Sequence, residues 1–421
     1  MLGGLAQVFK IPDLRRRIFF TLAMFMIFRI GAHIPVPGVD PNRIQFLFQA
    51  GSLFGLLDVI AGGAMSAVSV FAMGIMPYIN ASIIMQLLTV VVPTFEEWSK
   101  EGEEGRKKIT QVTRYGTVGL ALIQGLGTAV VLSRNDAVLS PGIGSSLLIA
   151  LTLTAGTTFL MWLGEQITEH GIGNGISLII FAGIVSRLPD GVLNVIQLLQ
   201  FGFLSWWNVI LLALLGLAVI VAVIWIQEGQ RRIPVQYSKR VVGRRMYGGQ
   251  STHIPIRVNM AGVIPVIFAS SILALPPTLA AFIDRPWAQR LAEIFSFGTA
   301  LHTVLYALLI IFFTYFYTAI QFNPADVADN IRKNGGYIPG IRPGRPTAEY
   351  LDRVIIRLTL FGALFLAFIA TMPVFFGRLV DIPGLFFGGT ALLIVVGVAL
   401  ETMKQIEAHL LMRHYEGFMK R

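Results

Sequence analysis

The chain is divided by long stretches that contain no Asp, Glu, Lys or Arg. They are residues 59–95, 115–133, 137–164, 170–186, 191–227, 258–283, 294–325, 358–377 and 382–400. A shorter apolar run, Ile18–Phe28, continues through Arg29 to about Ile34. A helix needs about 20 apolar residues to cross the hydrocarbon core of a bilayer. Lipid offers the backbone no hydrogen bonds, so such runs cross as helices. The pattern predicts ten transmembrane helices, near 18–34, 70–93, 112–132, 147–167, 174–189, 207–227, 258–280, 299–322, 354–375 and 384–403. The fifth is short, which predicts a buried position away from lipid. Composition excludes a soluble fold: 55% of residues are hydrophobic and 13% charged, where soluble domains carry about a quarter charged. Most nucleotide-fold and hydrolase readings fall with it. The absence of Cys removes disulfides, thiolate metal sites and Cys nucleophiles. No small-residue cleavage site follows the first run, so no cleavable signal peptide is expected.

An even number of spans puts both termini on one side, and the basic residues say which. Of the 33 Lys and Arg, 26 fall on the side of the termini and 6 on the other; Arg29 lies inside the first span. That split predicts cytoplasmic termini. Two cytoplasmic loops carry more than topology requires. Residues 228–257 hold Arg231, Arg232, Lys239, Arg240, Arg244 and Arg245. Alternation at Ile233, Val235 and Tyr237, followed by Gly, predicts a twisted β-ribbon there. Residues 323–353 hold a turn-rich stretch in which Arg342 stands between Ile341 and Pro343. One reading is that these cations enforce topology and bind anionic membrane lipids. The other is a docking surface for a large anionic partner, such as ribosomal RNA or an acidic protein face.

The spans contain little chemistry. Arg29 is near the end of the first, Glu165 and Glu169 at the cytoplasmic end of the fourth, and His302 at the outer start of the eighth. No metal-binding His pair and no intramembrane carboxylate motif is present. Gly171-Ile-Gly173-Asn-Gly175 lacks the context of a phosphate loop and reads as a tight turn into the fifth span. Small and mildly polar residues occupy the spans instead, among them Asn80, Gln86, Asn259, Ser270 and Ser271. They serve close helix packing or a movable or aqueous seam. Pro77 and Pro265 are expected to weaken two spans mid-course. Residues 53–93 are too long for one crossing. A half-helix near 56–66, interrupted by Asp58 and the Gly62-Gly63 pair and shielded from lipid by protein, precedes the full span.

Several strings together resemble the SecY family, the central channel subunits of bacterial protein translocation. They include Phe28-Arg-Ile-Gly31, Ile34-Pro-Val-Pro-Gly38, Ala72-Met-Gly-Ile-Met-Pro-Tyr-Ile79, Trp162-Leu-Gly-Glu-Gln-Ile-Thr168 and Gly171-Ile-Gly-Asn-Gly-Ile-Ser177. Gln230-Arg-Arg-Ile-Pro234, Asn259-Met-Ala-Gly-Val-Ile-Pro265 and Ile338-Pro-Gly-Ile-Arg-Pro-Gly344 continue the series. The resemblance covers nearly the whole chain. It implies an all-α polytopic membrane protein of ten transmembrane helices in two inverted five-helix halves around an hourglass pore. The halves would be 1–190 and 191–421, with a plug at about 53–68.

The resemblance places a pore ring on Ile75, Ile79, Ile176, Ile180, Ile267 and Ile394. The plug would include Leu56, Asp58, Ile60, Gly62 and Gly63. A lateral gate for signal sequences would be lined by Asn80, Gln86, Asn259, Ser270 and Ser271. Arg231, Arg232, Lys239, Arg240, Arg244, Arg245 and Arg342 would dock the SecA motor ATPase or the ribosome. The family further implies SecE and SecG as partner subunits, preproteins as cargo and no cofactor. The rivals are a secondary transporter, which needs a mid-membrane binding constellation, and an intramembrane enzyme, which needs a catalytic pair at depth; the spans offer neither. A membrane scaffold, the third rival, would not need the basic ribbons or the half-helix.

Overall fold

The computed structural model describes the chain except residues 1–10, 41–42, 44–61, 203–204, 238–239, 243–244, 248–250, 282, 284, 296–297, 381–388 and 420–421. Leu56, Asp58, Ile60, Lys239 and Arg244 lie outside the described residues.

Helices stand at each of the ten expected spans. In chain order they are α1 (Pro12–Gly31), α2 (Met76–Val91), α4 (Glu103–Arg134), α5 (Ile143–His170), α6 (Gly175–Ser186), α8 (Trp206–Glu228), α9 (Ile264–Ala281), α11 (Ala300–Gln321), α13 (Arg345–Val380) and α14 (Gly389–Met419). Between them lie α3 (Pro93–Lys100), α7 (Leu188–Gln200), α10 (Pro286–Ile294) and α12 (Pro324–Lys333). By length and composition, six units could cross a membrane: α4, α5, α6 with α7, α8, α11 with α12, and most of α13. The pair α2 and α3 makes a seventh, but it bends by 97° at Val92. That bend turns α3, which carries Glu96, Glu97 and Lys100, out of the direction of α2. Helix α8 is the most lipid-like. Trp206, Trp207 and Trp225 are exposed at its two ends. Trp207 and Trp225 are separated by roughly 27 Å at 1.5 Å per residue, close to the ~30 Å hydrocarbon core. Tryptophans at both edges mark the membrane–water interfaces.

Four expectations are corrected. Pro77 and Pro265 do not interrupt helices. Each is the second residue of its helix, α2 and α9, where the missing N–H has no helical partner to lose. Residues 62–75 before α2 form turns, so the second span begins at Met76 and not near residue 70. For the same reason Gly62–Ser66 are not the end of a half-helix; residues 56–61 lie outside the described residues. The fifth span is also not short. α6 and α7 together run 26 residues, and only α6 is well buried.

The largest apolar cluster joins α1, α2, α5, α6, α8, α9, α11, α13 and α14, with Leu160, Leu163, Ile167, Ile310 and Leu366 among its fully enclosed side chains. A second, cytoplasmic core is separate. Strand β1 (Gln230–Tyr237) pairs antiparallel with β4 (Ser251–Arg257), and a short hairpin of β2 (Arg240–Val242) and β3 (Arg245–Tyr247) caps the ribbon. The predicted ribbon is therefore present, and alternation puts Ile233 and Val235 on its buried face. Unforeseen is that β1 also pairs with β5 (Gly336–Tyr337) in the 323–353 loop. Ile233, Val235 and Ile256 then pack with Ile331, Ile338, Leu351, Val354 and Ile355. The two basic loops are one folded lobe.

Helices α5 and α6 cross so closely that side chains are excluded. A Cβ placed on Gly175 would overlap the carbonyl of Gly164. Gly175→Ala is therefore expected to destabilise the protein by about 1–3 kcal/mol through overpacking. Thermal unfolding in detergent measures this, and an unchanged midpoint would mean the crossing has slack.

Candidate functional site: isoleucines at four helix starts and a polar seam

The six isoleucines that the resemblance assigns to a ring stand at or near the starts of four helices. Ile75 is the residue before α2 and Ile79 is its fourth. Ile176 and Ile180 are the second and sixth residues of α6. Ile267 is the fourth of α9 and Ile394 the sixth of α14. Local chemistry fixes these starts. The Asn174 side chain accepts hydrogen bonds from the N–H groups of Ile176 and Ser177, at 3.1 and 3.2 Å. That N-cap starts α6 four residues after α5 ends. The Thr168 hydroxyl accepts from Gly175 N–H at 2.9 Å, tying the turn to α5. The expected turn at Gly171–Gly175 is thus present. Ile75, Ile79, Ile180, Ile267 and Ile394 are buried in the main cluster, and Ile176 is half-buried against it. The residues come from both the 1–190 and the 191–421 parts of the chain.

The seam between α2, α4 and α9 has a different character. A cavity of about 60 Å³ lies there, lined on α2 by Asn80, on α4 by Gln124 and Thr128, and on α9 by Ser271 and Thr278. The Ser271 hydroxyl donates across the seam to Met76 Sδ at 3.4 Å. Asn80 is buried, and among the described residues its Oδ1 has no hydrogen-bond partner.

Asn80 and Ser271 both line this cavity, and the other three gate candidates do not. Gln86 is six residues further along α2, half-buried, its Oε1 enclosed and unpartnered among the described residues. The Ser270 hydroxyl bonds back to Ile267 in its own helix, at 2.8 Å. The Asn259 amide donates to Gly262 at 3.0 Å and so shapes the turn before α9. Its backbone lies beside Gly362 of α13. Sequence reasoning missed Met76, Gln124 and Thr128; an apolar sulfur and two common polar residues on a span give no signal of a shared cavity.

At the cytoplasmic ends of α4 and α5, Arg114 pairs with Glu165 through two 2.8 Å bonds. That pairing accounts for a carboxylate so close to the membrane. On the cytoplasmic lobe, Arg231, Arg232 and Arg342 are exposed. Arg240 and Arg245 lie on the β2–β3 hairpin that caps the ribbon. The turn carrying Arg342 is held rigidly. The buried Thr347 hydroxyl donates to the Arg342 carbonyl at 2.8 Å, and Ile338 and Ile341 anchor it in the lobe's core.

The SecY family model matches residues 69–403. The chain belongs to the SecY family. Relatives named protein translocase subunit SecY cover it end to end. One from Halalkalibacterium halodurans is 54% identical over all of both chains. One from Escherichia coli is 48% identical over all of this chain and 95% of the relative. Among solved structures, one described as "The structure of a protein conducting channel" matches 96% of both chains with a TM-score of 0.67 at 18% identity. The canine Sec61 in a ribosome–channel complex from the endoplasmic reticulum matches 96% of both chains, with a TM-score of 0.64 at 17% identity. SecY membership makes this chain a multi-pass protein of the bacterial cytoplasmic membrane and a channel, not an enzyme. The secondary-transporter and enzyme readings are set aside.

Proposed function

We propose that this chain forms the protein-conducting pore of a translocase. It passes unfolded preproteins across the cytoplasmic membrane and releases apolar segments sideways into lipid. An external motor, the SecA ATPase, or the translating ribosome drives it, and SecE and SecG complete the assembly. The observation that supports this reading is that six isoleucines from the starts of α2, α6, α9 and α14 belong to, or pack against, one apolar cluster. Such a throat offers no hydrogen bond to water or ions and so resists wetting. Isoleucine packing can still yield around an extended chain without binding it at fixed positions.

The Asn80–Ser271 seam is the lateral exit. An apolar segment entering it gains burial in lipid that a polar one does not. A seam with a cavity and an enclosed unpartnered oxygen parts more easily than a continuous apolar one. Asn80→Leu removes that oxygen and fills the space. It should stabilise the shut seam by about 1–2 kcal/mol, cutting translocation of weakly apolar signal sequences about ten-fold while strong ones still pass. Equal treatment of both signals by the variant would count against the seam.

The whole reading is tested in vesicles containing the chain with SecE. With SecA and ATP added, a signal-bearing preprotein should become protease-protected. No protection, with an active control channel beside it, would overturn the proposal.

A further inference from the structure

One contact across the seam has a sulfur as its acceptor. Met76 is the first residue of α2, and the Ser271 hydroxyl of α9 donates to its Sδ at 3.4 Å. Ser271 is 1% exposed, so its hydroxyl has no ready access to bulk water should that acceptor be lost. Met76 is half-buried and lines the cavity of about 60 Å³ together with Met65, Met73, Asn80 and Ser271. A space of that size admits a molecule as small as water, and a peroxide is little larger. Thioethers react with peroxides to give sulfoxides, a change that methionine sulfoxide reductases reverse.

The geometry points to Met76 as an oxidation site that loosens the seam between α2 and α9. The co-reactant is hydrogen peroxide. The sulfur lone pair takes one peroxide oxygen and the O–O bond breaks. The departing hydroxide picks up the proton of the transferred oxygen and leaves as water. Sulfur loses two electrons and the peroxide gains two. The effect on import rests on the seam being the lateral exit.

The new oxygen fits the shut seam poorly. Aimed at Ser271, it needs an O–H···O contact of about 2.7 Å with the sulfur–oxygen bond in line behind it. That is more than the 3.4 Å between Ser271 Oγ and Met76 Sδ, so the helices must part or the bond must bend. Aimed away from Ser271, the oxygen enters the cavity on the side of Asn80, one helical turn along α2. Asn80 Oδ1 is itself enclosed there, with no donor among the described residues. Two acceptors then share one space, and the Ser271 hydroxyl loses its partner. An enclosed polar oxygen without good hydrogen bonds costs free energy. In the parted seam the sulfoxide is hydrated and bears no such cost. Oxidation therefore penalises the shut state alone. The thioether, a weak acceptor on an apolar side chain, carries no comparable penalty.

The test treats the channel, assembled with SecE in vesicles, with hydrogen peroxide. The peroxide is destroyed before SecA, ATP and a preprotein with a weakly apolar signal are added. Peptide mass spectrometry reads the oxygen gained at Met76, and each channel is compared with its own untreated import. Treated wild type should import about three- to ten-fold faster, the effect of one lost or strained hydrogen bond. Reductase treatment should return the Met76 mass and the import rate together. Met76→Leu should show no change on treatment. Met76→Gln, which places an amide oxygen in the seam, should import like oxidised wild type without treatment. Met76 left unoxidised while the exposed Met412 gains oxygen would overturn the site. So would unchanged import by wild type oxidised at Met76, or an equal rise in treated Met76→Leu. If Met76→Leu does not assemble, Met76→Gln and the reductase reversal decide. Equal treatment of weak and strong signals by Asn80→Leu would instead overturn the seam, and failure of untreated wild type to import would overturn the channel reading.

Discussion

Ile180→Asn is expected to turn a sealed resting channel into a leaky one, with ion flux through reconstituted vesicles raised about ten-fold or more. Ile180 is 2% exposed and lies in the main apolar cluster, on a helix that packs against α14. An amide buried there without partners costs about 1–3 kcal/mol. The shut state bears that cost, and an open, wetted throat does not. The equilibrium therefore shifts toward open by about five- to more than a hundred-fold. Ile180→Val is the control: it trims one methylene, keeps the surface dry and should leave flux near wild type. Leak unchanged in the Asn variant, with the protein folded and importing, would remove Ile180 from the throat. Import of preproteins with defective signals should rise along with the leak, since less binding energy is then needed to open the channel.

The positions of the spans were legible because hydrocarbon excludes charge along the whole length of a helix, and that leaves a mark on every residue. Helix starts were less legible. In the sequence Pro77 and Pro265 fall inside the expected spans and signal weakening there, although proline belongs at a helix start as readily as it weakens a middle. The decisive fact, that residues 62–75 fold as turns, comes from packing with other parts of the chain: Val36 N–H bonds to Val68, and Val70 N–H to Ile34. The throat isoleucines were named only through resemblance. Their apolarity is what any span would show, and the cluster they join takes in nine helices, so burial alone does not single them out. Of the gate candidates, two share a place. Asn80 and Ser271 share a cavity, while Asn259 serves its own turn. An intramembrane amide announces that something must satisfy it, but not what. The union of the two basic loops was invisible, because β1 and β5 meet across about a hundred residues, as in the Tyr337 hydroxyl donating to Gln236 at 3.0 Å. No local pattern encodes that pairing.

That union gives the second large effect. Arg342→Glu is expected to reduce SecA-driven import at least thirty-fold while leaving the thermal stability of the channel unchanged. The side chain is exposed, so reversing its charge disturbs no core. The turn beneath it stays pinned by Thr347, Ile338 and Ile341. Losing a favourable charge contact at an interface and gaining a repulsive one is worth about 2 kcal/mol or more, which is the thirty-fold. Because β5 joins the Arg342 turn to β1, which carries Arg231 and Arg232, the cations belong to one rigid surface. Arg231→Glu should therefore weaken the same partner, with a smaller loss if it stands at the rim. A contrasting variant separates docking from folding: Leu351→Asp buries a charge in the lobe's core, where Leu351 is fully enclosed. It should lower stability and import together, by several kcal/mol in the first case. Import retained in Arg342→Glu would discard the docking assignment and keep the pore. Import lost together with stability would make Arg342 a structural residue of the lobe. Loss of import at unchanged stability makes the lobe the surface on which the driving partner pushes.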